Sequence, residues 1–142
     1  VGQNPKGVTL TATPFGPTVA APRMPAVVTT DASQFTRTAA DVGDYLRKHG
    51  RVPSAIWLGS TAVSPEAYLA ALAKVVLARC DGKPVPDKIE LTPTPLLTAK
   101  HVQDDNPKLW GWVIFPPDFR APDMMALAKR QAWALKPAIR RP

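Results

Sequence analysis

One cysteine and two histidines among 142 residues leave this sequence little with which to bind a metal or run redox chemistry. Cys80 has no partner for an internal disulfide. It lies late in a helical stretch beside Leu77 and Ala78, where a free thiol is expected to pack as a small hydrophobe. His49 and His101 stand apart, and neither belongs to an H-x-x-x-H or H-E-x-x-H pattern that sets two ligands on one helix face. A G-x-S-x-G elbow, a phosphate-cradling glycine loop and a paired-cysteine zinc motif are all missing. No apolar run approaches the roughly 20 residues that span a bilayer. The chain starts at Val1, which reads as a processed or excised piece from which a signal peptide could have been removed upstream.

Proline is abundant instead. There are 17 prolines against a hydrophobic content of 45%. The length and apolar content support one domain with a core, or a small domain with appendages. The prolines require much of the chain to be extended. The net charge is +7, from 18 basic and 11 acidic residues, and part of the excess sits in a tail with Lys136, Arg140 and Arg141. Such a charge attracts nucleic acid, anionic membranes or acidic wall polymers.

The ordered heart of the sequence is residues 35–91. A first helix carries Phe35, Ala39, Val42 and Leu46 on one face, with Asp31 or Ser33 as N-cap, Gln34 placed to close a capping box, and Gly50 as the stop. Gly43 inside it costs around 1 kcal/mol relative to alanine, which close packing against a second helix would explain. Ile56, Trp57 and Leu58, then Gly59 and Ser60, then Thr61 to Val63 read as a hairpin with a two-residue turn. Ser64, Pro65 and Glu66 open the second helix. Tyr68, Leu69, Leu72, Val75, Val76 and Cys80 give it a broad apolar face. Residues 88–91 alternate as a strand, expected beside the hairpin because a lone hairpin is marginal in water.

These residues resemble the pseudomurein-binding repeat, a short module of cell-surface and wall-acting proteins. The matching positions are Ala39 and Ala40, Tyr45 and Leu46, Gly50 to Pro53, the strand ending in Gly59, Val63 and Ser64, and Tyr68 and Leu69 running into Leu72, Ala73 and Lys74. The likeness covers about fifty residues. It implies a non-catalytic binding module, in a bacterial relative attached to a surface protein or a polysaccharide-active enzyme such as a deacetylase. The target it implies is peptidoglycan or another surface polysaccharide, and the location is extracellular or at the cell surface.

On either side lie less regular segments. Residues 1–32 hold five prolines and two strand-like runs, 8–12 and 26–30. They read as a linker, or as strands added to the edge of the module's sheet. After residue 92 come Pro93, Pro95, Pro107, Pro116 and Pro117, with Trp110, Trp112 and Phe115 between them. So aromatic a stretch is expected to pack on something, and the small sheet is the obvious surface. A third helix opens at Pro122 and Asp123, with Met124, Leu127, Ala128, Gln131 and Leu135 on one face. His101, Asp104 and Asp105 read as a polar loop ahead of Asn106; the alternative is a metal or acid–base role, with Asp118 approaching in space.

The expected fold is α+β, three helices packed on a small antiparallel sheet with extended proline-rich arms. It divides into a proline-rich linker or arm (1–32), the repeat-like module (33–92) and an aromatic cover with the C-terminal helix (93–142). Alternation puts Ile56 and Leu58 on the core side of the hairpin and Trp57 on the other. The expected binding surface is therefore Trp57, Ser60 and Thr61, bordered by Arg51 and by Trp110 and Trp112. Flat aromatic rings suit the apolar faces of sugars, and the planar Arg51 fork suits a carboxylate or peptide carbonyl. No cofactor is called for. A second reading makes the chain a structural subunit whose N-terminal arm pairs with neighbouring copies. A third, nucleic-acid binding, rests on charge alone, and the scattered basic residues match no such motif.

Overall fold

The computed structural model describes residues 14–24 and 26–134. The fold is α+β, and the described residues form three α-helices and two small two-stranded antiparallel sheets. In chain order these are β1 (Val28–Asp31), α1 (Ala32–His49), β2 (Ile56–Leu58), β3 (Thr61–Val63), α2 (Pro65–Cys80), β4 (Lys88–Leu91) and α3 (Pro122–Gln131).

Asp31 starts α1 by accepting the Gln34 amide on its carboxylate at 2.7 Å, and the Ser33 hydroxyl donates to the same oxygen at 2.6 Å. Those bonds, Ser33's first, hold the Asp31 carboxyl below its ordinary pKa. The box is not reciprocal, because the Gln34 side chain turns along the helix toward Thr38 and Arg37. Gly50 ends α1 in the left-handed region, φ 59°, with its N–H on the Leu46 carbonyl at 2.8 Å. Ser64 caps α2 by accepting the Ala67 amide at 3.2 Å. At the far end Gly82, φ 71°, turns the chain so that the Lys83 N–H meets the Ala78 carbonyl.

The main core cluster comes from the organised stretch, residues 35–91. Phe35, Ile56, Leu58, Val63, Tyr68, Ala71, Ile89 and Leu91 form one cluster, with Met24, Ala39, Val42, Leu72 and Val75 packed around it. Phe35 of α1 stacks on Tyr68 of α2 with ring centroids 4.7 Å apart. The Tyr68 hydroxyl donates to the Phe35 carbonyl at 2.7 Å. Burial, with the charge of Asp41 added, pushes the Tyr68 phenol well above its usual pKa, so it stays a donor at any ordinary pH.

Several expectations change. Strand β4 pairs not with the hairpin but with β1, Val28 opposite Leu91 and Asp31 opposite Lys88. The chain returning from α2 reaches the start of α1, where the Ala32 N–H bonds the Asp87 carbonyl at 2.9 Å, so β1 offers the nearest free edge. Residues 26–30, one of the two runs in the N-terminal segment, thus contribute a strand; the run at 8–12 lies outside the described residues. Gly43 is not pressed by α2: a Cβ there would stand 3.4 Å from the guanidinium of Arg47, on its own helix. Cys80 is exposed, as are Leu69, Val76 and Leu77. The face that α2 buries is Ala67, Tyr68 and Ala71, so its apolar residues do not share one side.

The C-terminal part also departs from expectation. Trp110 packs edge-on against Phe115 and Phe119, both at 5.2 Å, and those two rings stack on each other at 5.0 Å, so the aromatic segment packs upon itself instead of covering a sheet. In α3, Met124 and Leu127 face solvent while Met125 and Ala128 turn inward, and Ala132 just beyond is buried. Leu135 and the basic tail lie outside the described residues. Gln131 joins α3 to the N-terminal segment: its side-chain oxygen accepts the Gly16 N–H at 2.9 Å and its amide donates to the Gly16 and Pro17 carbonyls, each at 3.2 Å.

Replacing Tyr68 by Phe keeps the stacked ring and deletes only the buried donor. Urea denaturation of Tyr68→Phe is expected to show a loss of about 1 kcal/mol. A variant as stable as the parent would mean that the helix-to-helix hydrogen bond contributes nothing.

Candidate functional site

The hairpin is short because its turn leaves no choice. Gly59, φ 62°, occupies the first central position in a region that side-chain-bearing residues rarely adopt, and β2 and β3 pair Ile56 with Val63, Trp57 with Ala62 and Leu58 with Thr61. Ile56, Leu58 and Val63 are buried. The period-2 alternation then sends Trp57 outward, where 60% of it is exposed. Its cross-strand partner Ala62 is too small to cover an indole. Ser60 and Thr61 are exposed at the turn. Behind the sheet, the buried Thr38 hydroxyl donates to the Trp57 carbonyl at 3.3 Å, which fixes the strand to α1 while leaving the ring free.

Arg51 is positioned differently from the other hairpin residues. The N-terminal segment runs beside it: the Phe15 N–H bonds the Gly50 carbonyl at 2.9 Å and the Val52 N–H bonds the Phe15 carbonyl at 2.8 Å. The Arg51 guanidinium lies 6.0 Å from the centre of the Phe15 ring and reaches the Gly16 carbonyl at 3.5 Å. Its fork is thus turned toward residues 15 and 16. Phe15 itself is 63% exposed and forms an aromatic surface that sequence periodicity gave no reason to expect.

Trp110 and Trp112 come together, but apart from Trp57. They line a cleft of about 280 Å³ with Phe115, Phe119, Pro116 and Pro117. Trp112 is 72% exposed, and Val113 and Ile114 beside it are also open to solvent. Among the described residues no ring contact links this cleft to Trp57. A second groove, of about 360 Å³, lies between Pro22 and Met24 on one side and Pro93 and Pro95 on the other, at the start of α2.

Asp105 organises the aromatic cleft. One oxygen accepts the Trp110 indole N–H at 2.7 Å and the Ala121 N–H at 3.3 Å; the other accepts Arg120 Nε at 2.9 Å, and Arg120 also donates to the Asp105 carbonyl at 2.7 Å. Burial alone would raise this carboxyl, yet the Trp110 and Ala121 donors and the Arg120 charge outweigh it and hold its pKa below the ordinary range. Asp104 pairs with Lys129, His101 is exposed, and Asp118 is exposed in the left-handed region at φ 62°. Among the described residues no three His, Cys, Asp or Glu side chains converge as metal ligands would. The sequence displays Asp105 and Trp110 only five residues apart, but Arg120 is drawn in from further along and leaves no local signal.

No protein-family model matches the chain, and no curated protein matches it significantly. The likeness to the pseudomurein-binding repeat rests on the residues that carry it.

Because the folded pKa of Asp105 is depressed, its contribution is complete above the unfolded carboxylate value of about 3.9 and is lost as the pH falls through the lower folded value. The Trp110 indole N–H resonance is expected to hold steady from neutrality to about pH 4 and to shift below it. In Asp105→Asn that acid transition should vanish. A resonance that moves near neutral pH, or an acid transition that survives in the variant, would show that Asp105 does not hold the cleft.

Proposed function

We propose that this chain is a non-catalytic module that binds a cell-wall or surface polysaccharide and holds an attached enzyme or surface protein against it, outside the cell or at its surface. The observation that carries the reading is Trp57: an indole left open on the outer side of a hairpin whose inner side is the core. A ring fixed through its backbone and free on its face presents a flat apolar platform at little entropic cost, and the C–H faces of sugar rings match it. Ser60 and Thr61 supply hydroxyls at the edge of that platform. Trp112 and the cleft it shares with Trp110 form a second aromatic surface, suited to the same class of ligand.

The sequence likeness supports the same function, since the matched residues include the hairpin and both flanking helices. Of the other readings, exchange of the N-terminal arm between copies has less in its favour, because the described part of that arm pairs within its own chain, through Phe15 and through β1. Nucleic-acid binding has less to recommend it, since among the described residues neither groove is lined by a lysine or arginine.

Retention on isolated cell walls, with soluble wall glycan as competitor, tests the proposal. Trp57→Ala is expected to abolish competable retention with a melting temperature close to the parent's, since the lost ring is mostly in water. Retention unchanged by Trp57→Ala and by Trp112→Ala alike would contradict the proposal. Loss in Trp112→Ala only would transfer the site to the aromatic cleft.

A further inference from the structure

Asp118 is a residue that the packing of the chain does not account for. The Phe119 N–H meets the Pro116 carbonyl at 3.2 Å and closes a turn with Pro117 second and Asp118 third. A proline second and a positive φ third make the type II pattern, whose third position favours glycine or asparagine. Asp118 holds φ 62° there, a conformation that costs a side-chain-bearing residue free energy. Among the described residues its carboxylate has no ion pair and no hydrogen bond. The neighbouring acids differ: Asp104 is engaged by Lys129, and Asp105 by Trp110, Ala121 and Arg120.

What Asp118 does line is the aromatic cleft. Trp110, Trp112, Phe115 and Phe119 supply its rings, the rest of the wall is proline, glycine and valine, and Asp118 is its one ionisable residue. No lysine or arginine lines it, and Arg120, two residues on from Asp118, is paired with Asp105. An aromatic wall with one unpaired negative charge suits a positive group that also carries carbon. The ring faces attract the charge through their quadrupoles, the carbon packs on the rings, and the carboxylate neutralises the cation. A bare metal ion fits less well, since it takes several oxygen ligands and no three His, Cys, Asp or Glu side chains converge among the described residues. A neutral sugar drawn inside would leave hydroxyls unpaired against walls with a single oxygen-bearing side chain.

We propose that this cleft binds an alkylammonium group, its methyl or methylene carbons against Trp112 and its charge at Asp118. At about 280 Å³ the space falls just short of the roughly 300 Å³ at which ordinary ligand pockets begin, so it takes one headgroup or one side-chain amine and not a run of sugars. Two sources share this chemistry: a quaternary trimethylammonium headgroup, and a primary amine borne by a peptide side chain or an amino sugar. The site goes beyond glycan binding at the hairpin and does not rest on it. Trp112 still offers a sugar a flat face on its exposed side; what Asp118 adds is selection for charge.

Titrating the isotope-labelled full chain with choline and with n-butylammonium, at constant ionic strength, tests the site through its indole N–H resonances. Saturable shifts are expected at Trp112 with Trp57 unmoved. Saturation by either cation supports the proposal, and the tighter of the two identifies a quaternary or a primary amine as the natural group. The uncharged carbon analogue of choline, with a quaternary carbon in place of the nitrogen, is expected to bind about tenfold more weakly or worse. Asp118→Asn and Asp118→Gly both suit a positive φ, so each should melt no lower than the parent, lose about tenfold in cation affinity and bind the uncharged analogue as the parent does. The proposal is overturned if neither cation gives a saturable shift at Trp112, or if the uncharged analogue binds as tightly as choline. It is equally overturned if both Asp118 variants bind the cations as the parent does, or if both melt well below it, which would make Asp118 a structural residue.

Discussion

Tyr68 reaches from the first turn of α2 to the first turns of α1, stacks on Phe35 and donates a buried hydrogen bond to its carbonyl. That contact is what allows two sheets of such small size to persist. Neither a three-residue hairpin nor a four-residue strand pair is stable alone in water. Each becomes so by laying alternate side chains, Ile56, Leu58 and Val63 from one sheet and Ile89 and Leu91 from the other, against the helices that Phe35 and Tyr68 lock together. Because the hairpin spends its inner side on this core, its outer side, with Trp57, stays open to solvent.

The N-terminal segment closes the assembly from outside. Residues 15–17 lie between the Gly50 to Val52 backbone and Gln131 of α3, so one strand of chain ties the C-terminal aromatic unit to the module. Gly16 is required at that crossing: a Cβ there would stand 2.1 Å from the Arg130 carbonyl oxygen. The prolines on either side, Pro14 and Pro17, keep the segment extended and suit it to lie along another part of the chain.

Where structure follows from neighbours in sequence, it was legible. The Asp31 and Ser64 caps, the Gly50 stop, the Gly59 turn and the outward Trp57 are all readable from local chemistry, and so the hairpin half of the candidate site was too. Pairings set by where the chain returns were not. Strand β4 chose β1 because Asp87 meets Ala32, and Arg51 was engaged by a residue 35 positions away. The faces of α2 and α3 were misjudged for a different reason. An apolar residue is not thereby a buried one, and Leu69, Val76 and Met124 stand in solvent. Cys80 follows the same lesson.

In the proposed function, ligand meets the protein on the outer face of the hairpin. Titrating isotope-labelled chain with soluble wall-glycan fragments, and following every amide and indole N–H, tests that most directly. The predicted result is a set of shifts centred on the Trp57 indole and the Ser60 and Thr61 amides, with the buried Phe35 and Tyr68 amides unmoved. Shifts centred on Trp110 and Trp112 with Trp57 silent, or no shift at any saturating concentration, would contradict it.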